Sequence, residues 1–239
     1  MSYDVLSRHY DRLMGDFPYE KYLAFIRPKA GEKCLDLACG TGKVSRMLAA
    51  QGAMVHGVDI SECMLNIAVR EARAQGLAVT FGQGDMRKFE GTGYDLVTCV
   101  SDGLNYIPTK DLPPLFERVE AALAGGGRMV FDVSTPYKLR EVLGDNVYYE
   151  DYDDLTYYWE NAYSERTKSV RMKLTFFEKV GDAYRREEET QKQYAHEAED
   201  IRAALDQAGL TIARRVDGDA FDKVRAKSLR WVYDVRKKR

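Results

Sequence analysis

The sequence predicts an α/β fold: a mostly parallel sheet with helices on both faces, joined to a small antiparallel β cap. Between residues 34 and 133, short apolar runs alternate with amphipathic helical stretches, the pattern of strand–helix–strand crossovers. From Asn146 to Tyr194 the period changes to two, with Val170, Met172, Leu174 and Phe176 set against Arg171, Lys173 and Thr175, which marks antiparallel strands. Three of the early strands also end beside an acid, Asp36, Asp59 and Asp85. With 239 residues, 45% of them hydrophobic, and a net charge of −2, the chain has the composition of an ordinary globular protein with a real core. It lacks the basic excess of a nucleic-acid-binding body.

Residues 1–29 carry Tyr3, Leu6, Tyr10, Leu13 and Met14 at helical spacing. Pro18 interrupts, and Tyr19, Tyr22, Leu23 and Ile26 continue as a second short helix until Pro28, together predicting a helical lid packed over the sheet. Cys34 to Leu37 reads as a buried strand that runs through Ala38 and Cys39 into the turn Gly40-Thr41-Gly42, and Lys43 to Gln51 as the helix that follows. Two glycines let a ligand approach the backbone, and the helix start offers free N–H groups. Asp36 beside that turn disfavours a wholly anionic ligand and welcomes an amino group. The Walker A loop does not fit, because Leu37 stands where its first Gly belongs and Val44 where Ser or Thr should follow Lys43. The dinucleotide fingerprint is weakened by Ser45 at its third Gly.

Met54 to Asp59 is the second strand, and an acid at its tip is placed to accept both hydroxyls of a ribose. Ser61 predicts the N-cap of a helix that turns Met64, Ile67 and Ala68 inward. Val79 to Phe81 is the third strand, leading to Gly84-Asp85-Met86, and Tyr94 to Cys99 the fourth, leading to Ser101-Asp102-Gly103-Leu104-Asn105-Tyr106. Helix Lys110–Ala124 follows, Gly125-Gly126-Gly127 reads as its C-capping turn, and Arg128–Val133 as strand five. The cap, 145–194, has three or four strands with a hairpin turn at Gly181-Asp182. Glu197–Ala208 is the last core helix, ended by Gly209, and Leu210–Val216 with Leu229–Arg236 the closing hairpin. His196 is expected to cap that helix.

The loop Asp36-x-Ala38-x-Gly40-x-Gly42, with Asp59 and Asp85 after the next two strands, resembles the class I S-adenosylmethionine-dependent methyltransferases. The resemblance covers residues 1–140 and 195–239. It implies a Rossmann-like seven-stranded sheet with one reversed strand, formed by 1–144 and 195–239, with 1–29 as lid. It implies S-adenosylmethionine as methyl donor and S-adenosylhomocysteine as product. The family pattern assigns the methionine end to the loop with Asp36, Ala38, Gly40 and Thr41, the ribose to Asp59 beside Ile60, and the adenine face to Met64. It assigns the adenine amino group to Asp85 and the ring to the N–H of Met86, and it adds Ser101 and the lid residues Tyr10 and Tyr22 to the cofactor set. Residues after strand four lie nearest the transferred methyl, so Asp102, Asn105 and Tyr106 are the candidates for orienting the acceptor or removing its proton.

The four cysteines and three histidines show no metal or triad spacing, and Glu187-Glu188-Glu189 reads as a solvated strand face. Ser101-Asp102-Gly103-Leu104 differs from the Asp/Asn-Pro-Pro-Tyr/Phe of DNA amino-methylating enzymes, so DNA is not an expected partner. The amino terminus is no signal peptide and no apolar run can span a membrane, giving an expected cytoplasmic monomer or homodimer. The expected reaction is in-line methyl transfer to a nitrogen or oxygen of a small-molecule acceptor, and the cap resembles that of antibiotic-sugar N-methyltransferases. RNA or protein methylation, a nicotinamide-dinucleotide site on the same sheet, and non-catalytic cofactor binding remain alternatives.

Overall fold

The computed structural model describes residues 4–238. Tyr3, counted above in the lid, lies outside the described residues. In chain order the elements are α1 (Asp4–Leu13), α2 (Tyr19–Ile26), β1 (Lys33–Leu37), α3 (Lys43–Ala50), β2 (Met54–Asp59), α4 (Glu62–Ala74), β3 (Val79–Gln83), β4 (Tyr94–Cys99), α5 (Leu112–Ala122) and β5 (Leu123–Ser134). There follow β6 (Val147–Asp151), β7 (Leu155–Ser164), β8 (Ser169–Val180), β9 (Ala183–Tyr194), α6 (Ala198–Gln207), β10 (Leu210–Asp217) and β11 (Arg230–Lys237).

Seven strands form one sheet in the order β10-β11-β5-β4-β1-β2-β3, in which β11 runs antiparallel to both of its neighbours. The central strands are buried on both faces, which is why Cys34, Leu35 and Leu37 read as a continuous apolar run rather than an alternation. One face packs Phe116 of α5 on Phe131, and Phe131 stacks on Tyr233 with centroids 4.8 Å apart. The other face holds Tyr22, Ile26 and Leu48 from α2 and α3. Ser61 caps α4, its hydroxyl accepting from the Met64 N–H at 3.2 Å. The three glycines at 125–127 do not cap α5. That helix ends on Leu123 in extended conformation, already paired with Tyr94, and the register then shifts so that Leu96 faces Arg128. The glycines are an irregularity within β5.

The second sheet has the order β6-β7-β8-β9, all antiparallel. Its period-two pattern sorts the aromatics: Tyr157 and Phe176 turn inward, whereas Tyr149 and Tyr158 are exposed on the outer face. The inner face is covered by α1, whose Val5, Leu6 and Leu13 join Leu155, Tyr157, Leu174 and Phe176 in one cluster. The first helix thus lies on the cap and not directly over the main sheet. Glu189 of β9 accepts from the Val5 and Leu6 amides at 3.2 Å each, placing an acid on the positive end of the helix. Arg8 pairs with Glu187, and Arg12 with Asp154 at 2.8 Å. Glu187 and Glu189 of the acidic run therefore hold the lid, whereas Glu188 pairs with Lys173 at 2.9 Å.

Cap and core are joined through two buried side chains. Asn105 donates to Ser134 O at 3.1 Å and to Tyr194 O at 2.9 Å, and accepts from Ser134 N at 2.8 Å. His196 caps no helix: its Nε2 lies 3.0 Å from Leu104 O and its Nδ1 2.9 Å from Thr109 Oγ1. A carbonyl only accepts, so Nε2 carries the proton and Nδ1 takes the Thr109 hydroxyl. Burial lowers the His196 pKa. No described helix is long and apolar enough to cross a membrane.

Removing the Asn105 amide strands several buried backbone groups, so Asn105→Ala should lower unfolding free energy in urea by about 3 kcal/mol. His196 binds its proton less readily folded than unfolded. Its contribution is present above the unfolded pKa of about 6.5 and lost as pH falls. The loss of stability between pH 7 and 5 should be shallower in His196→Asn than in the parent protein, as measured by denaturant midpoints.

Candidate active site

At the carboxyl ends of β1 to β4 the chain encloses a cavity of about 270 Å³, lined by Tyr10, Ala38, Gly40, Val58, Asp59, Ile60, Met64, Gly84, Asp85, Met86, Arg87, Ser101, Gly103, Tyr106 and Ile107. Its backbone is locally strained. Ala38, Ser101 and Asp102 adopt left-handed φ values of 52°, 69° and 63°, a region costly for residues with a Cβ. The strain sits where β1 and β4 turn over the cavity, beside Gly40 (φ 54°) and Gly42 (φ 73°). A Cβ on Gly40 meets nothing within 4 Å, so this stretch of wall is bare backbone, whereas one on Gly42 comes within 2.9 Å of Ala68 and Phe81.

Asp59 is 8% exposed, and its two oxygens accept from the Gly40 and Ser61 amides at 2.8 Å each. Burial raises its pKa against the backbone hydrogen bonds it accepts. Each oxygen keeps acceptor capacity toward the cavity it lines, a donor set suited to a vicinal diol. Val58, Met64, Met86 and Ile107 supply apolar walls for a flat ring, and Asp85 a further acceptor. Carboxylates, bare backbone and apolar walls together fit an adenosine carrying an amino-acid tail better than a polyphosphate, which two acids would repel.

The sequence-predicted residues separate into those that line this cavity and those behind it. Tyr10, Ala38, Gly40, Asp59, Ile60, Met64, Asp85, Met86, Ser101 and Tyr106 line it. Asp36 does not: 2% exposed, it takes the Ser45 hydroxyl at 2.5 Å and the Thr98 hydroxyl at 2.7 Å, and burial pushes its pKa up to about 6. Ser45, which spoils the dinucleotide fingerprint, is its buried partner. Thr41 is turned away to Asp11 of α1, its hydroxyl donating at 2.7 Å, and this bond with the Tyr10–Ser101 contact at 3.2 Å seats the lid on the loop. Tyr22 is buried on the far side, donating to Asp132. Asn105 is the cap–core staple already described.

Asp102 belongs to a network that sequence reasoning missed. Arg230, at the start of β11, grips both oxygens of Asp102 and lies 2.6 Å from Asp132. Ser134 donates to Asp102 at 2.9 Å, and Lys138 stands 3.9 Å away. Burial opposes ionisation of Asp102, but the charges of Arg230 and Lys138 outweigh it and hold the carboxyl below its usual range. Asp132, inside an otherwise apolar strand, was the readable signal: a buried acid demands a cation. Arg87, also missed, forks Asp85 and holds that carboxyl low. Burial pushes the Tyr10 hydroxyl up to about 12. No group of three or more His, Cys, Asp or Glu among the described residues could hold a metal ion.

A family model described as a methyltransferase domain matches residues 34–127. The chain is 32% identical, over all of both sequences, to a protein of Geobacillus sp. (strain WCH70) provisionally named a methyltransferase. An S-adenosylmethionine-dependent methyltransferase from Clostridium acetobutylicum ATCC 824 has a structure similar over 99% of both chains, with a TM-score of 0.88 and 32% identity. The sugar N-methyltransferase KedS8 from Streptoalloteichus sp. ATCC 53650 shares the fold over 100% of this chain and 94% of its own, with a TM-score of 0.73 at 22% identity.

If Asp59 is the diol acceptor, Asp59→Ala should weaken S-adenosylhomocysteine binding by about 100-fold in calorimetry, the loss expected for two hydrogen bonds to a charged group. Ser45→Gly, behind the loop, should change that affinity by less than about threefold while lowering the thermal midpoint.

Proposed function

The chain belongs to the S-adenosylmethionine-dependent methyltransferases, and we propose that it transfers the methyl group in line to a nitrogen or oxygen atom of a small-molecule acceptor. S-adenosylmethionine supplies a sulfonium methyl, an electrophile already activated. In this reading Asp59 takes the ribose, Asp85 and Met86 the purine edge, Met64 the purine face, and Ala38, Gly40 and Ser101 the amino-acid end.

The observation that carries the acceptor class is the roof. Tyr10 closes the Ser101–Gly103–Tyr106 end of the cavity from α1, and α1 is seated under the cap. An acceptor reaching that end must fit beneath a helix, which favours a small molecule over a folded macromolecule. The sharing of sheet and cap with a sugar N-methyltransferase agrees with this reading at the level of fold.

The described cavity lining contains no histidine, lysine or cysteine. Asp102 is bound to Arg230 and weakly basic, and Tyr10 is protonated at neutral pH. The chain's contribution is then to orient the acceptor and exclude water, while the acceptor brings its own lone pair, as a neutral amine or an acidic hydroxyl does. Tyr106 is the lining side chain best suited to orient it, and Asp102 acts from behind.

Labelled S-adenosylmethionine offered with amines, amino sugars and hydroxylated aromatics should give a methylated product with at least one amine or acidic hydroxyl. The pH dependence of kcat/KM should follow the pKa of that acceptor. Transfer into RNA or protein instead, with none into small molecules, would overturn the proposal.

A further inference from the structure

Arg87 belongs to the cavity wall yet has no place in the reading above. Its guanidinium grips the neighbouring Asp85 twice over: Nε lies 3.0 Å from Oδ1 and 3.1 Å from Oδ2, and Nη2 2.6 Å from Oδ2. Its own backbone N–H adds a bond to Oδ1 at 2.9 Å. Its remaining arm, Nη1, reaches Asp111 Oδ2 at 3.1 Å. Asp85 stands in the loop after β3, and Asp111 in the short 3₁₀ turn Thr109–Asp111 that leads into α5. Met86 of the first loop and Ile107 just before the second both line the cavity. One side chain therefore ties together two loops that wall the same space.

A carboxylate has about four lone-pair positions. Three Arg87 N–H groups, that of Nε shared between the two oxygens, use about three of those positions, and the planar fork prevents the carboxylate from turning. The acceptor left to a ligand is thus a single oriented one. The three side chains are 43%, 21% and 25% exposed, so the ion pairs add little to stability and can open without disturbing the core. Screening by salt acts on contacts of this exposure.

We propose that Arg87 is the positioning residue of the purine end, orienting Asp85 toward an exocyclic amino group and, through Asp111, clasping the two loops so that nucleoside release is slowed. The proposal rests on the reading of Asp85 as the acceptor for that amino group.

Stopped-flow displacement on the full chain tests it with two ligands, S-adenosylhomocysteine and its inosine counterpart, in which the amino group is replaced by oxygen. Arg87→Gln should release S-adenosylhomocysteine about fivefold faster, lose the salt dependence of release, and reduce the preference for adenine over hypoxanthine about fivefold, the scale of one oriented charge contact. Asp111→Asn should speed release while keeping the preference. Asp85→Asn should abolish the preference. If Asp85→Asn leaves the preference intact, the reading of Asp85 fails and the proposal with it. If Asp85→Asn abolishes the preference but Arg87→Gln alters neither release nor preference, the proposal alone fails. Circular dichroism melting of Arg87→Gln close to the parent midpoint is expected, and a midpoint lowered by more than about 5 °C would make Arg87 a fold residue and overturn it.

Discussion

Taking a carboxylate out of water costs several kcal/mol unless hydrogen bonds or a counter-charge replace the solvent, and the carboxyl edge of this sheet withdraws Asp36, Asp59, Asp102 and Asp132 together. Each is satisfied differently. Asp36 takes two hydroxyls, Ser45 and Thr98, and drifts toward neutrality. Asp102 and Asp132 share one guanidinium, with Tyr22 completing the second. Asp59 is served by the backbone amides of Gly40 and Ser61. That difference separates the carboxylate that lines the cavity from those behind it: amides at the sides of a carboxylate leave its front free, whereas Ser45 and Thr98 or Arg230 enclose theirs.

The same accounting shapes the chemistry. Arg230 keeps Asp102 ionised, but an acid held below its usual range is a poor proton acceptor. What the network supplies is geometry. Asp102 N donates to Asp132 at 3.1 Å, and the carboxylate is gripped by Arg230, which together hold Ser101 and Asp102 in a left-handed turn that neither residue prefers. Ser101 thereby faces Tyr10, and the cavity acquires its roof contact. Placement is the mode of catalysis suited to a donor that needs no further activation.

Much of this was legible because it is periodic or local. The strands β2 and β4 were readable to the residue, and Ser61 announced its helix by capping chemistry. The acids ending β2 and β3 were visible as line-of-chain facts. What resisted reading was pairing across the sheet. Arg230 and Asp102 are 128 residues apart, and nothing local in either says that they meet. Asn105 carries the same residue type in a catalytic loop as in a structural staple, and only its three backbone partners distinguish the two. His196 likewise sits at a helix start in sequence but faces the loop after β4.

The lid shows why periodicity stops short of placement. The apolar stripe of α1 fixes that one face is buried, but any apolar surface of matching width satisfies it. The parallel sheet already had α2 and α3 on that side, filling it with Tyr22, Ile26 and Leu48. The antiparallel cap, in contrast, has an inner face of Leu155, Tyr157, Leu174 and Phe176 with no helix of its own in sequence. A four-stranded sheet with one apolar face needs a cover, and α1 is the cover it received. The consequence reaches the cavity, because α1 turns its apolar side to the cap and its polar side, Tyr10 and Asp11, to the loops that hold Ser101 and Thr41. The tyrosine-rich insertion therefore bears on the active site through the helix it carries rather than through rings of its own.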